Sequence, residues 1–390
     1  MTVRDGAKPR SPSICDWVSG AIAALREEAA AIPPTPIIKL ELNCSVPATI
    51  LIKDESRLPT KSLKHRVGRA LFEFGLCNGY IGPNTHVVEA SSGSAAISEA
   101  YFARLLDLEF TAIVPASTAQ AKVEAITALG GNVEFSKPGQ DIALAAANLA
   151  ESRGYLFLNQ FLNAERASCW RTNSNVASEL FTQLEESGED PPTWIVVGAG
   201  TGGTSCSIAR HLRHRSVWGR TKLCVVDPEG SIFFRQFANP DCAPGGTNSD
   251  FIEGIGRKRP SPSFSPSLVD RMVEISDAAA IGASLWLRES RKLNFGPSTG
   301  ANLIGALALA AETSAHEREP NILLLAGDAG ERYDTTIYCE AWLAEQDIDP
   351  AVWIDRCEIF AAAGHFDCDE LRQIRRFRGP VDRFTSGPVP

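Results

Sequence analysis

The feature that most constrains this chain is the alternation of short apolar segments and segments of helical periodicity from residue 66 onward. The strand patterns lie at 86–89, 110–114, 132–135, 154–158, 194–197, 222–227 and 321–326. Alternating strands and helices form parallel sheets that helices cover on both faces. We therefore predict an α/β fold. We also expect an irregular segment at 240–265, which is rich in Gly, Pro and Ser, and further helix at 350–375.

Composition excludes several classes of protein. The 390 residues are 44% hydrophobic and 22% charged, as in globular proteins, and the net charge of −9 argues against nucleic-acid or membrane-surface binding. No apolar run approaches the roughly 18 residues needed to span a bilayer. Ten cysteines are scattered singly, without a CxxC pair or zinc-ligand spacing. We expect a cytoplasmic protein with neither a metal site nor a signal peptide.

Lys64 is the candidate catalytic residue. It follows a turn that contains Ser62, a possible N-cap, and it precedes an apolar-periodic run, so the pattern places it in the first turn of a helix. The positive end of the helix dipole disfavours the ammonium form there, and a neutral lysine amine can form a Schiff base. The alternative is that the basic residues around Lys64 form an ordinary solvated turn.

The glycine-rich turn GAGTGGT, at 198–204, lies between a predicted strand and a predicted helix. Backbone N–H groups at such a turn can bind a phosphate. However, Gly198, Gly200 and Gly203 also match GxGxxG, and Asp227 ends the next strand, as in dinucleotide-binding folds. A phosphate site, an NAD site and a purely structural turn therefore remain open from this segment alone.

Two further turns open predicted helices. In EASSGSAA, at 89–96, hydroxyl and N–H groups could bind a carboxylate, and in FGPSTGAN, at 295–302, a hydroxyl could meet a ring nitrogen. For the first of these turns alone, an ordinary serine N-cap is the simpler explanation, and Ser298 or Thr299 could likewise cap the helix at the second. Together with Lys64 and the glycine turn, however, they supply the amine, phosphate, carboxylate and ring-nitrogen partners that pyridoxal phosphate requires. NAD would use only one of these features.

Several motifs in order, over 35–338, resemble those of the fold-type II pyridoxal-phosphate enzymes in the cysteine synthase and cystathionine β-synthase family. TPIIKL resembles TPLVKL, SLKHR resembles SVKDR, SSGSAA resembles TSGNTG, NQFLNAE resembles QFxNPAN, PSTGA resembles SSGA, and GDAGERYDTT resembles SGERYLST. GAGTGGT resembles the phosphate loop. KDES, SEAYFARLL and IEGIGR are most similar to L-cysteine desulfhydrases of that group. Ser94 stands where the family has Asn, and Lys61 where it has Gly.

The resemblance implies a role for each matching residue. Lys64 would carry pyridoxal phosphate and act as the catalytic base. The remaining cofactor-binding residues would be Ser94, Gly200, Thr201, Gly202, Gly203, Thr204 and Ser298. The substrate-binding residues would be Ser91, Ser92, Gly93 and Gln160.

The resemblance also implies the tryptophan synthase β-like fold, with two subdomains that each contain a mostly parallel sheet flanked by helices. We expect a large cofactor-binding subdomain at 13–59 and 164–376, and a small mobile subdomain at 60–163 that carries Lys64. Residues 1–12 and 377–390 are expected to be a disordered N-terminus and a loose tail.

The implied activity is β-elimination from L-cysteine, through an aminoacrylate intermediate, to sulfide, pyruvate and ammonia. The alternative is β-replacement by a cysteine synthase-type enzyme from O-acetylserine or a related donor, and an NAD-dependent oxidoreductase is more remote. The resemblance further implies a homodimer.

Overall fold

The computed structural model describes residues 13–43, 46–172, 175–217, 219–239, 241–243, 245–313 and 319–375. The predictions for 1–12 and 377–390 lie outside these residues. The strands are β1 (Ile37–Lys39), β2 (Thr49–Asp54), β3 (Val87–Ala90), β4 (Phe110–Val114), β5 (Asn132–Phe135), β6 (Leu156–Phe157), β7 (Trp194–Gly198), β8 (Lys222–Pro228), β9 (Arg271–Ile275), β10 (Asn321–Ala326) and β11 (Arg372–Arg375).

Helices separate most of the strands. They are α1 (Ile14–Ala31), α2 (Lys64–Cys77), α3 (Ser94–Leu105), α4 (Gln120–Thr127), α5 (Ile142–Arg153), α6 (Gln160–Ala167), α7 (Val176–Ser187), α8 (Gly203–His214), α9 (Ile232–Ala238), α10 (Asp277–Arg291), α11 (Pro297–Thr313), α12 (Glu340–Glu345) and α13 (Ala351–Ala363). None of the helices in the described ranges combines the length and apolar character needed to cross a membrane.

The described chain divides into two compact units. The small unit contains residues 13–33 and Lys64–Gln160, and the large unit contains Pro34–Leu63 and the described residues from Phe161 onward. The sequence-based prediction instead placed the first helix in the large subdomain. The grouping differs because Glu28 on α1 contacts α2, with its Oε1 2.7 Å from His65 Nε2 and its Oε2 2.9 Å from Arg69 Nε.

The small unit is built on a parallel sheet of order β5-β4-β3-β6 in the described residues. Val88 and Ala90 of β3 alternate with their neighbours and pack with Ile113 of β4 and Ala146 of α5. Helices α2 and α3 lie close together because Gly68 has no side chain; a Cβ there would stand 3.1 Å from the Phe102 ring.

The large unit contains a sheet of order β1-β2-β10-β7-β8-β9-β11 in the described residues, in which only the two edge strands run antiparallel to their neighbours. Alternate residues of its central strands face opposite layers, as a pleated strand requires. Val196 and Leu324 belong to a core cluster with α10, α11 and α13, whereas Ile195 and Leu323 belong to one with α7, α8 and α9. The predicted α/β architecture of two mostly parallel sheets is therefore confirmed.

The prediction of helix throughout 350–375 is wrong in its second half. Helix α13 ends at Ala363, its C-cap residue Gly364 has a φ of 72° that glycine readily adopts, and the chain later forms the edge strand β11. The described residues between 241 and 265 contain neither helix nor strand, as predicted. Strand β9 was not predicted because charged side chains interrupt its apolar pattern; of these, Glu274 pairs with Arg372 of β11.

Candidate active site

The turn before Lys64 is held by backbone contacts within the large unit. The Leu63 N–H donates to the Gly327 carbonyl at 2.8 Å, and the Ala329 N–H donates to the Lys61 carbonyl at 3.2 Å. The Ser62 hydroxyl also donates to the Gly327 carbonyl, at 3.3 Å. Helix α2 begins at Lys64, so the prediction that this lysine lies in the first turn of a helix is confirmed.

Within the small unit, the Lys64 amine contacts the side chain of Gln160. Lys64 Nζ donates to Gln160 Oε1 at 3.4 Å, and Gln160, the first residue of α6, is buried. The Gln160 N–H in turn donates to Glu89 Oε2 at 3.0 Å, and Glu89 Oε1 accepts from the Ala90 N–H at 2.8 Å. The structure therefore brings together two predicted site residues, Lys64 and Gln160, and adds a buried carboxylate.

Sequence reasoning did not single out the buried carboxyl groups of Glu89 and Glu99. Burial raises the pKa of Glu89 to about 7, against the lowering effects of the Ala90 and Gln160 N–H groups and of the Lys64 charge. Burial, and then the charge of Glu89, raise the pKa of Glu99 well above its usual range. A charged residue inside an otherwise apolar strand or helix, as in VVEA and AAISEAYFA, is the signal that could have identified both.

The predicted carboxylate loop joins β3 to α3 in the small unit. Gly93 is the N-cap residue of α3 and no side chain caps this helix start, so the alternative of an ordinary serine N-cap is not what the structure contains. Ser91 Oγ instead accepts from the Gly93 N–H at 3.3 Å. Ser94 is the first residue of the helix, and Ser92 is half-buried. The first-turn N–H groups of a helix without a side-chain cap can bind a carboxylate.

The glycine turn joins β7 to α8 in the large unit. Gly198 ends the strand, and Gly202 is the N-cap residue of α8. Its φ of 90° would strain the backbone of most residues other than glycine. No side chain caps the start of this helix, although Thr201 Oγ1 accepts from the Gly203 N–H at 3.1 Å. Thr204 follows in the first turn. This arrangement suits an anion, because helix N-termini combine N–H donors with a positive dipole end.

Backbone packing fixes the shape of this turn. A Cβ at Gly200 would lie 2.1 Å from the Gly254 carbonyl oxygen, and one at Gly202 would lie 2.5 Å from Phe264 Cα. The Ser261 hydroxyl donates to the Thr201 carbonyl at 2.7 Å. The glycines are therefore required by close contacts on the protein side of the turn.

Ser298 is a buried residue in the first turn of α11. It lies beside Gly327, where an added Cβ would stand 3.0 Å from Ser298 Oγ, and Thr299 Oγ1 accepts from the Gly327 N–H at 3.3 Å. Gly327 follows β10, which is parallel to β7, with Leu324 opposite Val196. Ser298 and the glycine turn consequently lie at the same carboxyl edge of adjacent strands, where ligands of α/β sheets bind.

Asp227 does not have the environment of a ribose ligand. It is fully buried, and its Oδ2 accepts from the Phe234 N–H at 2.8 Å in the first turn of α9. Burial is the main cause that raises its pKa to about 7. The carboxyl group on which the dinucleotide interpretation depends is thus enclosed by its own unit.

Each unit contains groups of the kinds that pyridoxal phosphate requires. In the large unit, the glycine turn with its uncapped helix suits a phosphate and the Ser298 hydroxyl suits a ring nitrogen, while in the small unit Lys64 provides an amine. In the part of the chain that the structure describes, no group of three or more His, Cys, Asp or Glu residues could hold a metal ion.

Comparison with known proteins agrees with this chemistry. Residues 29–327 match the model of the pyridoxal-phosphate dependent enzyme family. The chain is 43% identical to L-cysteine desulfhydrase Cds1 of Mycobacterium tuberculosis (strain ATCC 25177 / H37Ra), over 86% of this chain and 92% of the relative. It is 26% identical to cysteine synthase A of Escherichia coli (strain K12), over 80% and 95% of the two chains.

One solved structure is similar to this chain over most of the length of both proteins. The crystal structure of O-ureido-L-serine synthase matches with a TM-score of 0.67 and 25% sequence identity, over 81% of this chain and 98% of that one. The predicted relation to fold-type II enzymes and cysteine synthases is confirmed, and the NAD alternative is set aside. The chain belongs to the pyridoxal-phosphate dependent enzyme family.

Proposed function

We propose that the protein is a carbon–sulfur lyase that converts L-cysteine and water to hydrogen sulfide, pyruvate and ammonia. The observation that carries this proposal is the 43% identity to an L-cysteine desulfhydrase, over 92% of that relative's length. The contact between Lys64 Nζ and Gln160 Oε1 supports it, because it holds a candidate catalytic amine in one direction.

We assign the site residues according to the resemblance and the local geometry. Lys64, Ser94, Ser298 and the turn Gly200, Thr201, Gly202, Gly203 and Thr204 would hold pyridoxal phosphate. Ser91, Ser92, Gly93 and Gln160 would bind the amino acid. The uncapped start of α3 supports a role in carboxylate binding, and the uncapped start of α8 supports one in phosphate binding.

Pyridoxal phosphate, when bound, supplies the electron-withdrawing ring that makes the Cα proton of an amino acid removable. The residues of this chain would do the rest. The loop from Ser91 to Gly93, here called the serine loop, would hold the substrate carboxylate, and Lys64 Nζ would take the Cα proton as general base. Ser298 would offer a neutral hydroxyl to the ring nitrogen, which favours expulsion of the β-substituent over amino-group transfer. Gln160 would orient the Lys64 amine throughout.

The second candidate is β-replacement, which the similarity to cysteine synthase A favours. In that reaction sulfide or a thiol replaces the leaving group of a donor such as O-acetylserine, and no pyruvate forms. Both reactions would use the same residues, so the fate of the substrate carbon skeleton distinguishes them.

The test supplies L-cysteine alone to the purified protein and follows the visible spectrum, sulfide and pyruvate together. A lyase is expected to show a band at ~410–420 nm, a property of lysine-bound pyridoxal phosphate, and to release sulfide and pyruvate in equal amounts. Lys64→Ala should lose the band and both products. Lys61→Gly is the matched control, since Lys61 is exposed and has a φ of 52° that glycine accepts.

Other outcomes would contradict the proposal. A visible band that changes with L-cysteine but gives no pyruvate until a second nucleophile is added would favour replacement. Protein that shows no visible band, even after incubation with pyridoxal phosphate, would contradict the cofactor assignment for this chain.

We further propose that the protein is a cytoplasmic homodimer with a mobile small unit. The family resemblance supports the dimer. The nine described cysteines are free thiols, as expected in a reducing compartment. Light scattering of the purified protein would give the mass of the assembly, and a mass of one chain would contradict the homodimer.

A further inference from the structure

Two buried carboxyl groups lie in the small unit beside the Lys64 amine. Glu89 is the penultimate residue of β3 and Glu99 lies in the second turn of α3, so one precedes and the other follows the serine loop. Glu89 is 0% exposed and Glu99 is 1% exposed. Each acts electrostatically on Lys64, and the charge of Glu89 acts on Glu99. Lys64, Glu89, Glu99 and Gln160 therefore form one cluster, which we call the acid cluster.

The two carboxyl groups have unequal surroundings. Both oxygens of Glu89 accept backbone N–H groups, from Ala90 at 2.8 Å and from Gln160 at 3.0 Å, and such bonds stabilise a carboxylate. Glu99 Oε2 is buried and has no hydrogen-bond partner within the described residues. Nothing comparable stabilises a charge at that oxygen, so the arrangement favours a charged Glu89 and a neutral Glu99.

Two interacting buried carboxyl groups titrate as a pair, because the second charge must form in a desolvated site next to the first. We propose that Glu89 and Glu99 hold one proton between them, which resides on Glu99, and that Glu99 is a positioning residue whose ionisation state sets the charge beside the Lys64 amine. This inference deepens the proposed function, since it rests on Lys64 being the catalytic base. When the shared proton leaves, the added negative charge favours the ammonium form of Lys64 over the reactive amine.

Helices α2 and α6 and strand β4 lie next to the pair, and Lys64 is the charged group among them that acts on it. From α2, Lys64 faces the pair. The neighbouring His65 instead contacts α1, with its Nε2 2.7 Å from Glu28 Oε1. From the neighbouring strand β4, the residue opposite Glu89 is Ala112, which is not titratable. From α6, the contact is made by the amide N–H of Gln160. Lys64 is consequently the cation that acts on both carboxyl groups.

The first test measures urea unfolding of the cofactor-free full chain between pH 4.5 and pH 8. A carboxyl whose pKa is raised on folding contributes stability below its unfolded pKa, and that stability is lost as the pH rises through its folded pKa. The wild-type unfolding constant should therefore increase with pH, by up to about tenfold per pH unit for each proton involved. Glu99→Gln, which mimics the neutral acid, should flatten this dependence. Glu151→Gln, an exposed residue of α5, should retain it.

The second test measures the reactivity of the Lys64 amine in the same cofactor-free protein. Trace acetylation with acetic anhydride is read by mass spectrometry, and Lys64 labelling is divided by that of the exposed Lys137. At pH 5.5 the ratio should agree within about twofold between wild type and Glu99→Gln. At pH 8 it should be up to about tenfold higher in Glu99→Gln, equivalent to one pKa unit, because the variant cannot gain the second charge.

Both tests use cofactor-free protein, so their outcomes do not depend on the binding of pyridoxal phosphate. Parallel stability curves for wild type and Glu99→Gln would overturn the shared proton. A flattened curve with unchanged Lys64 labelling would overturn the coupling to Lys64, and a labelling difference of equal size at every pH would indicate a merely structural effect. If Glu99→Gln does not fold, Glu99→Leu, also neutral, is expected to give the same two results. A protein that fails to bind pyridoxal phosphate contradicts the proposed function and leaves these measurements intact.

Discussion

The two loops of this protein that could bind anions have the same local design but differ in how tightly the surrounding chain packs against them. The serine loop of the small unit and the glycine turn of the large unit each join a parallel strand to a helix that no side chain caps. At Gly93 in the first loop, an added Cβ would meet nothing within 4 Å. At Gly200 in the second, it would lie 2.1 Å from a backbone carbonyl oxygen. The glycine turn is fixed by backbone packing, whereas Gly93 in the serine loop has free space around its Cα.

The two loops also differ in the charge of the groups beside them. The serine loop is flanked in sequence by the buried carboxyl groups Glu89 and Glu99, whose pKa values are raised. The glycine turn is backed by neutral groups, including the Ser261 hydroxyl and Phe264. A phosphate keeps its charge throughout a reaction, while an amine that moves protons must change its charge. A rigid neutral cradle suits the first task and a titratable neighbourhood suits the second.

The largest expected effect comes from adding one methyl group to the rigid loop. Gly200→Ala forces a Cβ against the Gly254 carbonyl, which cannot rotate away, so we expect about 3 kcal/mol of destabilisation and loss of the visible cofactor band. Gly93→Ala is the matched control, with a φ of −111° that alanine adopts, and should change the free energy of unfolding by less than about 1 kcal/mol. Equal destabilisation of the two variants in urea titrations would contradict the comparison.

The second-largest effect is expected when the carboxylate of Glu89, which accepts from the Gln160 N–H, is replaced. In Glu89→Gln, one oxygen becomes an NH₂ donor, so either the Ala90 or the Gln160 N–H loses its acceptor. We expect about 2 kcal/mol of destabilisation and a lower kcat, because the Gln160 side chain no longer holds the Lys64 amine. Urea titration and steady-state kinetics with L-cysteine measure these two results.

Glu99→Gln is the control for that experiment, because it should keep near-wild-type stability at pH 6. If Glu89→Gln were as stable and as active as Glu99→Gln, the unequal roles of the two carboxyl groups would be disproved.

The sequence predicted the elements of this comparison but not the difference between its halves. Gly198 to Thr204 were identified because glycines between an apolar strand and a helix have a local meaning, which depends on few other residues. The same holds for Lys64, whose place at the start of α2 follows from the turn and the periodic run beside it. Local rules were sufficient wherever the signal was local.

The acid cluster depends on contacts between residues far apart in sequence. Glu89 meets the Gln160 N–H across 71 residues, and no spacing rule predicts that pair. Asp227 shows the converse, since its position after a strand matched a ribose-binding acid, yet its carboxylate binds the Phe234 N–H seven residues later. Tertiary burial decided the chemistry of all three carboxyl groups, and burial is a property of the folded chain.

A smaller effect is expected at the neutral hydroxyl of the large unit. Ser298→Ala removes one hydrogen-bonding group and leaves the backbone of α11 and Gly327 in place. We expect about 1 kcal/mol weaker retention of pyridoxal phosphate, close to a fivefold change, with the visible band preserved. Dialysis against buffer without cofactor, followed by the absorbance of the band, gives the loss rate. Thr299→Ser, which keeps the hydroxyl that accepts from Gly327, is the control.

The smallest effect concerns the buried carboxyl group of the large unit and tests whether a raised pKa alone implies a role. The pKa of Asp227 is raised to about 7, chiefly by burial and also by Glu274, so wild-type stability attributable to it is lost as the pH rises from 3.8 to 7. Asp227→Asn should flatten that part of the pH dependence, change the free energy of unfolding at pH 6 by less than about 1 kcal/mol, and leave trace labelling of Lys64 unchanged at every pH. Glu99→Gln should flatten the stability curve and also change the labelling. If Asp227→Asn altered Lys64 reactivity as strongly, the charge around the lysine would not be set by the acid cluster, and the contrast between a titratable small unit and a neutral cradle in the large unit would fail.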